Sequence, residues 1–496
     1  MRPKMRLLTD ELREQIVAEA RNVLGTQGVE IQDSQARSLL ADHGALVADS
    51  RVRVPGNLID QALKTAPTDF DLFDVHGVKS HTLGNGEVHF TPASAATHIL
   101  ALEGGEYRRP STADYVEYAN LVGHLPNFKS QSTAFIPADV DETISDSYRL
   151  FLSLLHCPKP VVTGAFSISG FEVMLDLLLA VRGSASALSK KPLALFTCCP
   201  TSPLKWGDVE VRNLLDCATA GIPAEIVPVP LAGFIAPVTI VGTLVQMTAE
   251  VLSGVVLSQL ARPGTPVLFG CCPAIFDIRY ETAPMGAVET MMIACAAAEV
   301  GRFLNLPTQA YIALSDAKAL DAQAGLETSM GATMAVLSGI DEIAGPGMLD
   351  FINCFSLSKL VVDHEICAMA LRLNAGVQPR NDFPAGPLLD ELLAEKHLLI
   401  ADHTRKHLRE EITFPGPTID RASRARWTEE GGSSLCERAA DEARRLLAEA
   451  EPPTLAASVT DDLRSRMMSA ARECGMDRLP ERSGASKECD AIKAET

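Results

Sequence analysis

The sequence predicts an α/β fold, a TIM-type (β/α)8 barrel of parallel strands wrapped by helices, and three observations carry that expectation. First, residues 306–366 read as a short apolar strand, a long helix and a second short strand. The first strand ends on Ser315 and Asp316 and the second on the glycines of Ala344-Gly-Pro-Gly347, polar or φ-permissive residues where a β-to-α loop opens. Second, the same cadence can be traced back to about residue 127. Third, Pro-Gly or Pro-x punctuation precedes strands at Pro192, Pro223 and Pro266. Repeated βα units close most simply into a parallel barrel, and such a barrel carries its chemistry at the C-terminal ends of its strands.

The elements follow in order. Thr9 or Asp10 caps a first helix on which Leu12, Ile16, Ala20 and Val23 share a face, and Ala36, Leu39 and Leu40 begin another. From 51 to 109 the pattern changes to short alternating segments, with hairpin-type turns at Gly84-Asn-Gly86 and Glu103-Gly-Gly105. Residues 1–110 are therefore expected to form a helical and β-ribbon cap outside the repeat. Ser111-Thr-Ala-Asp114 opens a helix with a capping box. The barrel core is expected over 111–362, with strands at 128–136, 160–166, 193–199, 224–231, 266–272, 308–314 and 342–344. Helices at 170–182, 239–260, 286–303 and 322–338 fill the intervals. An eighth strand is not legible, and 356–362 is one candidate for it. No GxGxxG follows a strand, so a dinucleotide site has no anchor. Residues 363–455 read as a C-terminal helical region, with helices at 364–373, 387–409 and 432–448, and 456–496 as a charged tail, partly disordered.

Composition narrows the function classes. The 496-residue chain has a formal charge of −19, which argues against a nucleic-acid partner, and the one basic cluster, at 421–426, reads as a solvated helix face. The N-terminus lacks the apolar core of a signal peptide. The longest apolar stretch, 238–260, is broken by Gln246, Glu250 and Gln259, and is expected as a buried barrel helix with no membrane role. Twelve cysteines include the adjacent pairs Cys198-Cys199 and Cys271-Cys272, but no CxxC, HxH or HExxH occurs. Reduced thiols in a cytoplasmic protein, with no bound metal, are the expectation; a strand-end zinc on those four cysteines is the alternative.

Four separated blocks carry a resemblance: residues 236–270 (APVTIVGTLVQMTAEVLSGVVLSQLARPGTPVLFG), 315–327 (SDAKALDAQAGLE), 356–373 (SLSKLVVDHEICAMALRL) and 402–411 (DHTRKHLREE). Together the chain resembles the trimethylamine:corrinoid methyltransferase family from about residue 10 to about 455. The resemblance implies a barrel that moves a methyl group from a methylated amine to the cobalt of a separate corrinoid protein. It also implies a homo-oligomer that binds no cofactor tightly, the methyl acceptor being the partner's cobamide. The DxHxxG motif of corrinoid carriers is absent, in keeping with that division. Original family members carry pyrrolysine near the end of a late strand, a place that falls here within 310–315. This chain has a standard residue there, and members of that kind are associated with quaternary amines such as glycine betaine, proline betaine or carnitine. Alternatives are trimethylamine or another methylamine, zinc-dependent methyl transfer, and a non-catalytic betaine-binding protein.

A quaternary ammonium offers no N–H and leaves as a neutral tertiary amine, so the site needs cation-holding groups rather than an acid-base pair. Asp316 and Tyr311, at the end of the late strand, are the candidate catalytic residues. Trp206, Phe276 and Tyr280 are candidate walls of a cation cage, and Asp277 a counter-charge. Gly345 and Gly347 form a candidate backbone nest for a substrate carboxylate or the corrinoid ring. Glu250 and Glu299, inside apolar helices, are expected to find structural partners. Asp363-His364-Glu365 cannot converge on one ion, since adjacent residues on a helix point apart.

Overall fold

The computed structural model describes residues 3–380, 382–453 and 455–480. Eight short parallel strands line its centre: β1 (His89–Thr91), β2 (Gln131–Ser132), β3 (Val161–Thr163), β4 (Ala194–Cys198), β5 (Ala224–Ile226), β6 (Val267–Phe269), β7 (Gln309–Tyr311) and β8 (Glu342–Ala344). β2 to β6 pair in chain order, and β7, β8 and β1 form a second arc. Single parallel bridges, Phe90 to Phe128 and Phe269 to Thr308, join the arcs and close the ring. A helix follows each strand: α1 (Thr112–Gly123), α2 (Ser145–His156), α3 (Ile168–Arg182), α4 (Asp208–Ala220), α5 (Ile240–Ala261), α6 (Val288–Phe303), α7 (Ala322–Ser338) and α8 (Leu357–Ala375). This is a TIM-type (β/α)8 barrel.

The eighth stave is not at 356–362, which instead begins α8. It is β1, the first in the chain, and it comes from within residues 1–110. A three-residue His-Phe-Thr strand among ribbon segments has no periodicity to reveal it.

Local chemistry sets the helix limits. The Ser167 side chain accepts from the Gly170 amide at the start of α3, and Asp321 accepts from Gln323 and Ala324 at the start of α7. α7 stops at Gly339, whose φ of 68° suits a residue without Cβ. α5 is the one helix among the described residues long and apolar enough to cross a membrane; 72% of its most apolar window is buried inside the fold.

The strands' N-terminal end is plugged. A hairpin, Phe70–Phe73 against Lys79–Leu83, donates Phe73 N–H to the Pro192 carbonyl and Val75 N–H to the Pro158 carbonyl, both 2.9 Å, just before β4 and β3. Its Phe70, Leu72 and Leu83 pack on Val162, Leu195 and Leu268 inside the barrel. Elsewhere the N-terminal helices Asp10–Thr26 and Gly56–Thr65 pack on α5. The expected helix at 387–409 is two, Gly386–Glu395 and Asp402–Glu411, parted where Lys396 takes φ 63°. The stretch from 456, expected as a tail, holds the helix Ala457–Glu473, with Leu463, Met467 and Ala471 buried against α2 and α3. The remainder of that tail, 481–496, lies outside the described residues.

Candidate active site

Parallel pairing puts registered residues on one face, which locates the inward side chains. Leu268 pairs with Glu225 and Glu225 with Thr197; Leu195, two residues before Thr197, packs on the plug. On the other arc Gln309, Glu342 and His89 are in register. Two acids, an amide and an imidazole therefore share the interior directly above an apolar plug, joined by His81 from the hairpin, whose ring lies 4.5 Å from that of His89.

These groups are buried and short of partners. Thr197 Oγ1 donates to Glu225 Oε1 at 2.6 Å, and Gln309 Oε1 accepts from the Cys271 amide at 3.2 Å. Glu225 Oε2, both Glu342 carboxylate oxygens, Gln309 Nε2, His81 Nε2 and Thr91 Oγ1 have no partner among the described residues. Burial pushes the Glu225 carboxyl up to about 8, opposed by the Thr197 bond and reinforced by Glu342. Burial, with Asp341 adding to it, also takes Glu342 to about 8. Burial drives His81 and His89 down to about 4, so both are neutral near pH 7. His81 Nε2 is 3.7 Å from Glu342 Oε2, beyond hydrogen-bond range, and burial keeps the pair uncharged rather than ionic. Unpaired buried polar atoms are costly, and a cluster of them in a native core marks a place that takes a ligand or water.

Tyr311, two residues beyond Gln309 on β7, shares this interior. Its hydroxyl lies 3.2 Å from Ser94 Oγ, on the loop after β1, within electrostatic reach of Glu225, Cys199 and Cys272. Burial raises the Tyr311 hydroxyl well above its ordinary value, so it stays protonated.

The other expected residues lie elsewhere. Asp316 does not face the interior as a free counter-charge: it accepts the Met285 amide at 3.0 Å and the Gly286 amide at 2.7 Å, fastening the loop before α6. Burial lifts its carboxyl to about 6. Trp206 forms no cage wall; it is fully buried and donates Nε1–H to Ser253 of α5 at 2.9 Å. Asp277 is held by Arg279, whose bonds keep its carboxyl near 2, and its charge is already matched. Tyr280 is 74% exposed beneath the Arg279 guanidinium. Phe276 stacks on Phe234 at 4.8 Å where the strand-end loops rise beyond β5 and β6. The Gly345–Gly347 turn offers no free nest, because the Gly347 amide donates to Asp363 at 2.7 Å. Gly345 owes its place to contact: a Cβ there would fall 2.5 Å from the Ala313 backbone.

Glu250 is satisfied by Ser202, the Leu204 amide and Gln246, and Glu299 accepts the Leu7 amide. Asp363, His364 and Glu365 turn to Gly347, Asn127 and Gly416 respectively. No group of three or more His, Cys, Asp or Glu among the described residues could hold a metal ion, and burial pushes the Cys272 thiol up to about 12.

Sequence reasoning missed Glu225, Glu342, Gln309, His81, His89, Thr197 and Ser94. A signal existed for the acids: each is the charged residue inside a buried run, Ala-Glu-Ile and Glu-Ile-Ala, where a carboxylate is expensive unless used.

A family model described as trimethylamine methyltransferase (MTTB) matches residues 1–475. The trimethylamine methyltransferase MttB of Desulfitobacterium hafniense (strain DSM 10664 / DCB-2) is 27% identical over 458 residues, covering 92% of each chain. The glycine betaine methyltransferase of Desulfitobacterium hafniense (strain Y51) is 28% identical over 476 residues, covering 95% of this chain and 98% of that one. Among solved structures, the Methanosarcina barkeri monomethylamine methyltransferase (MtmB) superposes with a TM-score of 0.48 at 12% identity, covering 89% of this chain and 94% of that one.

Proposed function

The chain belongs to the trimethylamine methyltransferase family and is an enzyme of the methyltransferase type, and on that premise we propose that it moves a methyl group from a quaternary amine of the glycine betaine, proline betaine or carnitine type to Co(I) of a separate corrinoid protein in the cytoplasm. The observation that carries the reading is the pair of partner-poor carboxylates, Glu225 and Glu342, inside the barrel with Tyr311.

Co(I) attacks the methyl carbon in line; a Co–C bond forms as the C–N bond breaks, and its electron pair stays on nitrogen. The leaving nitrogen is neutral, and the cleavage itself transfers no proton. The protein must hold the cation, aim one methyl at the mouth and exclude water. A carboxylate in this low-dielectric interior attracts a cation far more strongly than one in water. Cation binding displaces the carboxyl protons to solvent; when the amine leaves uncharged, the carboxylates lose their counter-charge and take protons back from solvent, because burial favours their neutral forms. The charge that holds substrate therefore does not hold product.

Tyr311 falls within 310–315, the interval where resemblance puts the pyrrolysine of other members, which supports a substrate other than trimethylamine. Exposed Phe166, Phe234, Val238, Ile278, Tyr280 and Leu326 crowd the strand-end side, an apolar surface suited to a corrinoid partner's approach. The test is to mix the protein with its cognate corrinoid protein, reduced to Co(I), and a panel of quaternary and tertiary amines, following the cobalt spectrum. Methyl-Co(III) appearing with a quaternary amine is expected. Methylation with trimethylamine alone, or with no amine against a carrier known to be methylatable, overturns the reading.

A further inference from the structure

We propose that His81 is a proton relay between the interior carboxylates and solvent at the plugged end of the barrel, opposite the mouth. The inference rests on the cation site proposed above. Binding a cation there drives a proton off a neutral carboxyl, and release of the neutral amine calls one back. On that reading substrate and corrinoid partner occupy the mouth during transfer, so the proton needs another way.

The hairpin supplies it. Glu342 opens β8 and His89, in register with it, opens β1, at the strand ends where the hairpin is seated. His81, from the hairpin strand Lys79–Leu83, is 4% exposed. Its Nε2 lies 3.7 Å from Glu342 Oε2, neither atom has a hydrogen-bond partner among the described residues, and a shift of about half an ångström brings them into range. On the other side of the ring, Nδ1 lies 3.1 Å from Ser80 Oγ. Ser80 is half-buried and gives its own hydrogen to the Lys129 carbonyl at 3.1 Å, at the surface, so towards His81 it accepts. That sets the tautomer: hydrogen on Nδ1, and a bare lone pair on Nε2 facing an acid that burial keeps protonated. His89 has a different task, because its Nε2–H donates to the Thr82 carbonyl at 3.1 Å and fastens the hairpin. The charged groups around His81 are Glu342 on β8, Asp71 across the hairpin, Glu87 before β1 and Lys129 before β2; burial outweighs them and keeps the ring neutral.

The transfer balances. As the cation binds, the Glu342 O–H bond breaks and its proton passes to Nε2, while the Nδ1 proton leaves past Ser80 to water. The ring stays neutral in its other tautomer, with the new Nε2–H donating to the carboxylate. When the neutral amine departs, water returns a proton to Nδ1 and the Nε2 proton goes back to Glu342. Outward and return steps run in opposite directions, so each turnover resets the ring without a flip.

Stopped-flow mixing with a pH indicator tests the route, on the protein with its Co(I) corrinoid partner bound and with glycine betaine, proline betaine and carnitine as probes. The unmodified protein is expected to release about one proton per chain at pH 7 as the amine binds, and to take it back as product leaves. His81→Gln is expected to slow both movements about tenfold or more without changing their size, and added imidazole to restore part of the rate. Proton movement in His81→Gln at the unmodified rate overturns the route. An unmodified protein that methylates the carrier without moving a proton also overturns it, and leaves the methyl-transfer reading standing. A carrier methylated with none of the amines overturns that reading and the route with it. If His81→Gln misfolds, nitrogen-15 NMR of the unmodified protein decides: His81 is expected to change tautomer when the amine binds, and the same tautomer with and without amine overturns the route.

Discussion

Asp316 and Glu225 are both buried acids, one on a loop beyond the strands and one inside the barrel, and burial raises both, to about 6 and about 8. Their surroundings differ. Each oxygen of Asp316 accepts a backbone amide, and this residue of the loop after β7 thereby ties down the loop before α6. Glu225 has one hydroxyl donor for two oxygens, and Glu342 has none. Burial alone does not distinguish a structural carboxylate from a functional one. Donor count separates these two, because a saturated carboxylate has nothing left to offer a ligand.

The largest effects should come from swapping the roles. Glu225→Gln keeps the shape and an acceptor for Thr197 but removes the charge; kcat/KM for methyl transfer is expected to fall about 10²–10³-fold, with the melting temperature unchanged or raised. Asp316→Asn should do the reverse, losing about 1–3 kcal/mol of stability in denaturant titration while methyl transfer stays within roughly tenfold. If Asp316→Asn is the inactive variant and Glu225→Gln the unstable one, the distinction drawn from donor counts is wrong.

The next effect is on pH dependence. The folded-state values of Glu225 and Glu342 lie above the ordinary 4.5, so the stability they contribute is complete below that value and is lost as pH rises through about 8. The free enzyme should therefore melt lower at pH 9 than at pH 6. A bound cation favours the ionised form, so the thermal shift given by substrate should grow over the same interval while KM falls. Glu225→Gln should flatten both trends. A thermal shift that shrinks towards pH 9 would put the cation somewhere else.

The barrel was legible because strand ends, caps and Pro-Gly punctuation are local. Seven staves could be read from them; β1 could not, because its place in the ring depends on pairing with β8, some 250 residues away in sequence. The site followed the same divide. Tyr311 was singled out because it lies on the late strand near the pyrrolysine position that the resemblance implies, and its side chain is buried beside Ser94. Trp206 and Asp277 follow barrel strands as the sequence reading has them, Trp206 in a short strand of its own rather than a loop, but it gave no sight of Ser253 and Arg279 claiming them. Glu225, Glu342 and Gln309 become one cluster only when the two arcs of strands close.

Within the cluster, Tyr311→Phe separates the carboxylates from the wall above them. The substitution removes the hydroxyl that meets Ser94 and keeps the ring. Methyl transfer is expected to drop about three- to tenfold, since one neutral hydrogen bond is worth roughly 0.5–1.5 kcal/mol. The loss should appear mainly in kcat if the ring aims the methyl and the hydroxyl fixes the ring. Tyr311→Leu should fall further, because it removes the aromatic face offered to the cation. Equal losses for Phe and Leu would mean that the hydroxyl, not the face, is what the substrate meets.

Trp206→Phe should have the least effect on catalysis and so marks the far side of the comparison. Its indole bonds Ser253 and fills the space beside Gly254, where even a Cβ would come within 2.8 Å of the ring. Phe leaves the Ser253 hydroxyl without its indole donor and opens a small void between α5 and the loop after β4. A stability loss of about 1–2 kcal/mol is expected in denaturant titration, with KM for the amine and kcat both within twofold. That outcome would sort the aromatics as the acids were sorted: those whose polar atoms are already engaged hold the barrel together, and those facing the unpaired carboxylates meet the substrate. A tenfold rise in KM with stability intact would return Trp206 to the cation cage and move the site outward, from Glu225 to the loop after β4.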